Sequence, residues 1–489
     1  MSIINTRIEM KKILHLTFVC SVLFNFTLKS QDNLIDKSNK IKEIVEKAYE
    51  LNRFSGCVLV TKGENKIFEG AYGFSDIEQK KFNSLDTKFN VASITKTFTA
   101  VCIMLLVKEK KINLDDPVIK YLDNFPLGDQ ITIYNLLTHT AGFGDYEEDP
   151  EYLKKMFEID EISEITNIIY KSSLLIKTPG IKRIYSNSGA IILGAIIEKV
   201  SGEKYSEFLT NKILIPLGMR NSKHSNRLID DNIAKGYVYE YYGRFRETSD
   251  LVIPPSSATG LQTTVNDLLK FSDALFQNSL LDSTTRNIML KEYIPEESDE
   301  MSYGCFWEIR KVGNYTAFGH AGRQVGYNSR FYKYLDSNYT IIILSNLDYG
   351  AEAIFSKIEA VLLNHDYKLP GITADRFLYS MIKEKGIEFV EININNILNS
   401  NNYQIIYSSS LNNVGYQLIE QKDYQMAVNI FRLNVKLFPD DANVYDSLAE
   451  AYMILGNSNE ALINYERAYN LDNKNLNALN KIKELKEKR

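Results

Sequence analysis

A chain of 489 residues is long enough for one large core plus an accessory module. Its 57 basic residues are nearly matched by 62 acidic ones, for a formal charge of −5, so nothing in the balance recruits nucleic acid. Four cysteines imply no disulfide framework, and five scattered histidines offer no zinc-ligand spacing, so neither a metal nor any other cofactor is expected.

The N-terminus carries Arg7, Lys11, Lys12 and Lys29 against Glu9 alone, an apolar stretch from Ile13 to Leu28, and the small residue Ser30 before Gln31. Charge and apolarity segregate as in a secretory signal peptide, so residues 1–30 are read as a cleaved leader and the protein as exported, to the periplasm or the cell surface. The alternatives are an ordinary N-terminal helix and an uncleaved anchor. Cys20 has no small residue directly before it, which argues against a lipidated cysteine. No later segment is apolar for long enough to span a bilayer, so no transmembrane anchor is expected after cleavage.

Two short β-type runs between Gly56 and Phe74 flank the turn residues Gly63, Glu64 and Asn65, as in a hairpin. A helix from about Ala92 to Lys110 follows, and its run from Phe98 to Val107 is apolar on every face, which marks it as buried. Cys57 and Cys102 sit in such apolar runs, where a thiol packs as a small hydrophobe. Between Asn113 and Gly260 helical patterns alternate with turn clusters such as "LTHTAGF" (Leu137 to Phe143) and "TPG" (Thr178 to Gly180). Strands return at Phe318 to Arg323, Tyr327 to Tyr334 and Tyr339 to Asn346, and an amphipathic helix closes the unit near His365. Strands at the two ends and helices between them predict an α+β fold, with one antiparallel sheet assembled from both ends around a helical insert.

Beyond Pro370 the composition shifts to Asn, Ile, Lys and Tyr, and the chain becomes self-similar. At a period of 34, Leu411 aligns with Tyr445, Val414 with Leu448, Gly415 with Ala449, Leu418 with Tyr452, Ala427 with Ala461 and Phe431 with Tyr465. The period and the recurring small and aromatic residues resemble tetratricopeptide repeats, which implies an all-α module that binds an as yet unidentified protein partner. Residues 375 to 400 read as a degenerate helical pair and Leu476 to Lys488 as a capping helix. The expected division is therefore a leader at 1–30, a main domain at 31–366, a helical connector or degenerate repeat at 367–405 and the repeats at 406–489.

The chemistry centres on "NVASITKT", Asn90 to Thr97. Ser93 and Lys96, spaced i to i+3 at the start of the buried helix, face the same side and lie within hydrogen-bond reach. A helix N-terminus favours negative charge on the serine oxygen, and burial disfavours an ammonium, so Lys96 is expected to accept the serine proton. The blander reading is a snorkelling lysine beside an N-capping serine. The same spacing recurs at Ser201–Lys204 and Ser380–Lys383, in contexts where both lysines are expected to be solvated. Two further motifs are unique in the chain, Tyr185-Ser186-Asn187 and His320-Ala321-Gly322.

The order Ser-x-x-Lys, Tyr-x-Asn, His-x-Gly resembles the serine β-lactamase and penicillin-binding protein superfamily, specifically its class C-like branch with D-aminopeptidases and esterases. The resemblance runs from about Leu51 to Asn364 and includes "ITIYNLLTHTAGF", "YSNSGAIILGAIIEKVSG" and "GLQTTVNDLLKF". It implies Ser93 as the acylated nucleophile, Lys96 as its proton acceptor, and Tyr185 as second base or acid for the leaving group. It further implies that Asn187 holds the substrate amide, that His320 and Gly322 border the active-site edge strand, and that the backbone N–H groups of Ser93 and Arg323 form an oxyanion hole. A lysine commonly opens the third motif in β-lactamases and supports the substrate carboxylate, whereas His320 stands here; this favours esters or D-amino-acid peptides and amides over β-lactams. The Arg323 side chain, one residue past Gly322 on a strand, is expected to be able to point away from the cleft. The alternatives are a β-lactamase proper and a non-catalytic penicillin-recognising sensor or scaffold that uses its repeats. An α/β-hydrolase would need Gly-x-Ser-x-Gly, which the chain lacks.

Overall fold

The computed structural model describes residues 33–172, 178–225, 232–241, 243–295, 301–400, 403 and 407–487. The expected leader at 1–30 lies outside them. The chain divides into two compact units, the first reaching Pro370 but excluding Tyr239–Phe245, and the second comprising Tyr239–Phe245 and Gly371–Arg489.

In the first unit the elements that position the site are, in chain order, α1 (33–50), β1 (Gly56–Lys62), β2 (Asn65–Tyr72), α2 (Thr95–Lys108), α3 (Asn187–Ser201), α4 (Val265–Phe276), β3 (Ile294–Pro295), β4 (Met301–Tyr303), β5 (Glu308–Val312), β6 (Tyr315–Gln324), β7 (Tyr327–Tyr334), β8 (Tyr339–Ser345) and α5 (Gly350–Leu363). The strands form one sheet in the order β3-β4-β5-β6-β7-β8-β1-β2, and every neighbouring pair is antiparallel. The N-terminal hairpin joins the C-terminal strands through β1 and β8, where Cys57 opposes Leu344 and Val60 opposes Ile341.

Both faces of these central strands are buried, which is why their sequences read as continuous apolar runs. Successive side chains point to opposite faces. Val58, Val60, Ile341 and Ile343 pack with Ile41, Ile44 and Val45 of α1 and Ile354 and Ile358 of α5. Cys57, Leu59, Ile342 and Leu344 pack with the helical insert, including Phe98 and Phe271, and with Trp307 directly before β5. Each fully buried side chain of this kind contributes about 1.5–3 kcal/mol. At the centre of the insert Phe98 stacks on Phe271 with ring centroids 3.8 Å apart. Cys57, Cys102 and Cys305 are buried free thiols.

The second unit is helical: α6 (Ala374–Lys385), α7 (Ile387–Ser400), α8 (Ser408–Glu420), α9 (Tyr424–Leu437), α10 (Ala442–Ile454), α11 (Ser458–Leu471) and α12 (Leu476–Glu487). α8 and α10 begin 34 residues apart, as do α9 and α11. Gly415 lets α8 approach α9, since a Cβ there would lie 2.4 Å from the Phe431 ring. Leu378, Ile382, Val390 and Ile394 share one core with Leu411, Val414 and Phe431, so the helices before the self-similar segment pack with it. The arrangement is consistent with helical repeats.

Candidate active site

The buried helix begins differently from the sequence expectation. The chain leaves the short strand Phe89–Asn90, makes a 3-10 turn at Ala92–Ile94, and enters α2 only at Thr95. Ser93 and Lys96 therefore do not share one α-helix. The Lys96 amine nevertheless reaches back across the junction to Ser93, with Nζ 3.0 Å from Oγ. Lys96 is fully buried, and its Nζ also donates to the Ala258 carbonyl at 3.0 Å. Ser93 is half-buried.

Tyr185 closes the other side. Its hydroxyl donates to Ser93 Oγ at 3.0 Å, and its ring lies 5.2 Å from Lys96 Nζ. It is 37% exposed, so the site opens to solvent past this phenol. The loop that carries it is pinned where α3 starts. Ser186 caps the helix by accepting the Ser188 N–H at 3.1 Å, and donates its own hydroxyl to the Gly144 carbonyl at 2.7 Å. The Asn187 N–H, at the first helical position, donates to Asp145 Oδ2 at 3.0 Å.

The third motif lies on β6. His320 is buried, with Nδ1 2.5 Å from the Ala321 carbonyl and 3.8 Å from Glu308 Oε1. A carbonyl only accepts, so Nδ1 carries the proton. Burial holds the imidazole below its ordinary value, against the pull of Glu308, so His320 is neutral at pH 7. Glu308 in turn accepts hydrogen bonds from the hydroxyls of Tyr303 and Tyr332. Gly322 directly meets the turn that carries Ser93, for a Cβ there would lie 2.1 Å from the Val91 carbonyl oxygen. The Arg323 guanidinium pairs with Asp348 at 3.2 Å and lies 3.8 Å over the Tyr349 ring.

Sequence reasoning passed over His139, Asp145 and Glu147. His139, in "LTHTAGF", adopts φ +57°. Its Nδ1 accepts the Ser186 N–H at 3.2 Å, its carbonyl accepts the Ile184 N–H at 2.8 Å, and its ring stacks 4.4 Å from that of Tyr185. Burial first, and the neighbouring Lys96 charge next, hold it well below the usual histidine range, so it stays a neutral acceptor. Burial, aided by Asp145, pushes Glu147 up to about 7, while Lys96 pulls it down. The signal in the sequence was the phrase itself, to which no role could be attached. The other two Ser-x-x-Lys pairs are ordinary: Lys204 forms an exposed ion pair with Glu161 at 2.6 Å, and the Ser380 hydroxyl donates to the Phe377 carbonyl of its own helix. Among the described residues no cluster of three or more His, Cys, Asp or Glu side chains could hold a metal ion. The centre is a hydroxyl between an amine and a phenol, an arrangement suited to a nucleophile with two proton carriers.

A protein-family model described as Beta-lactamase matches residues 38–364. Penicillin-binding protein 4* of Bacillus subtilis (strain 168) is 26% identical over 365 residues, covering 70% of this chain and 79% of that protein. Teichoic acid D-alanine hydrolase of Staphylococcus aureus is 26% identical over 341 residues, covering 69% and 81%. The crystal structure of a penicillin binding protein from Bacillus halodurans superposes with a TM-score of 0.60 at 26% identity, covering 65% of this chain and 98% of that one.

Proposed function

This chain belongs to the beta-lactamase family, and from that premise we propose that it is an exported serine hydrolase of the class C-like branch, acting through an acyl-enzyme on Ser93. The observation that carries the reading is Ser93 Oγ, 3.0 Å from both Lys96 Nζ and Tyr185 Oη. Lys96 takes the Ser93 proton as Oγ adds to the substrate carbonyl carbon. The backbone N–H groups of Ser93 and Arg323 receive the developing oxyanion, a contact that matters most in the transition state. Tyr185 passes a proton to the departing alcohol or amine as the C–O or C–N bond breaks. Water then adds to the acyl carbon, its proton returns through the same groups, and Ser93 is freed with release of the carboxylic acid. Asn187 holds the substrate amide, and His320 and Gly322 border the site on β6, whose residues 320–324 run past its pairing with β5.

The substrate reading is esters or amides of D-amino acids. A lysine at the third motif would be a permanent cation able to attract a β-lactam carboxylate, whereas His320 is neutral. Arg323 is already engaged with Asp348. Asp145, whose carboxylate accepts the Asn187 N–H, puts an acidic group on this side, which suits a substrate ammonium rather than a carboxylate. The likeness to a teichoic acid D-alanine hydrolase points the same way. The helices of the second unit, with their 34-residue spacing, are read as tetratricopeptide repeats that bind a protein partner.

A panel of p-nitrophenyl acetate, D-alanine p-nitroanilide and nitrocefin tests the substrate class. Esters and D-amino-acid amides should turn over, nitrocefin should at most acylate slowly, and His320→Lys should shift the ratio towards nitrocefin. Hydrolysis of nitrocefin with kcat/KM of about 10⁶ M⁻¹s⁻¹ would contradict this assignment.

A further inference from the structure

The turn that carries Ser93 is held in an unfavourable backbone conformation. Ala92, directly before the nucleophile, has φ +47° although it is not glycine, and it is buried. A residue with a Cβ adopts this region only when its surroundings impose it. The Ala92 N–H donates to Asn90 Oδ1 at 2.9 Å. A backbone N–H can only donate, so this bond fixes which end of the Asn90 amide faces the turn. Asn90 Nδ2 must then point the other way, and it donates to Gln324 Oε1 at 3.0 Å. Both side chains are buried, and Gln324 Nε2 has no hydrogen-bond partner among the described residues. An apolar pair would avoid leaving that donor unpaired, so a packing role alone does not account for these amides.

Ala92 precedes Ser93 and Gln324 follows Arg323, so the single amide of Asn90 grips the neighbour of each proposed oxyanion donor. Further ties draw the same two segments together. The Ser329 hydroxyl on β7 donates to the Val91 carbonyl at 3.0 Å, and Gly322 leaves no room for a Cβ against that carbonyl. We infer that Asn90, through Gln324, is the positioning residue of the oxyanion hole, setting the separation between the Ser93 turn and the end of β6. The inference rests on the reading of Ser93 as nucleophile. Asn90 itself does not touch the reacting atoms.

The test uses the full chain, with p-nitrophenyl acetate as substrate and a fluorophosphonate, which phosphonylates a reactive serine with loss of fluoride and leaves a tetrahedral adduct, as probe. Asn90→Ala should lower kcat by about 10–100-fold with little change in KM, because a small displacement of an oxyanion donor is felt mainly in the transition state. The rate of fluorophosphonate labelling should fall in proportion. Asn90→Asp should largely restore both, since one carboxylate oxygen can accept the Ala92 N–H while Gln324 turns its amide to donate to the other. Gln324→Met, which keeps the volume without the amide, should reproduce the Asn90→Ala loss and serves if that variant does not fold. Wild-type kcat in Asn90→Ala or in Gln324→Met, or an equal loss in Asn90→Asp, would overturn the inference. Ser93→Ala is the separate control: if it still turned over substrate, the nucleophile assignment would fall, whatever the Asn90 variants did.

Discussion

At the scale of single residues, Ser93 and Tyr185 are held by side chains that stand behind them. His139 accepts the Ser186 N–H and packs its ring, tilted by 31°, against that of Tyr185, so it holds both the backbone beside Tyr185 and the Tyr185 ring. His139→Leu should cost about 1–3 kcal/mol in denaturant unfolding, from the N–H left unpaired, and lower kcat on p-nitrophenyl acetate by about 10²-fold as Tyr185 loosens. His139→Asn, which tolerates positive φ and offers an acceptor oxygen, should lose less. Unchanged turnover in His139→Leu would show that the ring does not position Tyr185. Glu147 gives a signature in pH. Its carboxyl titrates at about 7 in the folded chain, and in the unfolded chain at its ordinary value near 4.3. Between those values the folded state holds a proton that the unfolded state has lost, so this contribution to stability is fully present below the lower value and declines as pH rises towards the upper one. Melting temperatures across pH 4 to 8 should show a decline that Glu147→Gln flattens; identical profiles would contradict it. Ser93, Lys96 and Tyr185 were legible in the sequence because each motif spans a few neighbouring residues. The His139–Ser186 and Asn90–Gln324 contacts were not, since their partners lie 47 and 234 residues apart.

At the scale of elements, the runs that the fold buries most completely were the ones easiest to read. β1, β7 and β8 follow the buried runs closely, β2 lies where a strand was expected although only its Ile67 and Phe68 are buried, and β6 extends the expected strand to Tyr315–Gln324. β3, β4 and β5 escaped notice because they are short and because β5, Glu308–Val312, keeps charged residues among its buried ones. The 3-10 turn before α2 was also illegible, because an alanine at positive φ is set by tertiary contacts and not by local preference. In the second unit the period of 34 placed the helices well, and Gly415 shows why small residues recur. Gly415→Leu would drive a side chain into the Phe431 ring, an overpacking cost of about 1–3 kcal/mol. Circular dichroism should show an earlier loss of helix on heating, while hydrolysis of p-nitrophenyl acetate at 25 °C stays unchanged. Parallel loss of both would show that these helices support the chemistry and not only a partner.

At the scale of the molecule, the sheet draws the two ends of the first unit together, and the Ser93 turn meets β6 where β6 and β7 are in register. Ser329 opposes Gly322 across that pair and bonds the Val91 carbonyl. Strands at both ends and helices between were enough to anticipate that closure; the family match over residues 38–364 covers the same span. No helix among the described residues is long and apolar enough to cross a membrane. The proposed chemistry turns on Ser93 becoming acylated. The most direct measurement is peptide mass analysis after acid quenching of the full chain during turnover of p-nitrophenyl acetate. An acetyl group mapped to Ser93, absent from Ser93→Ala and Lys96→Ala, is the predicted result. Turnover in Ser93→Ala near the wild-type rate, or an adduct on another residue with Ser93 unmodified, would contradict it.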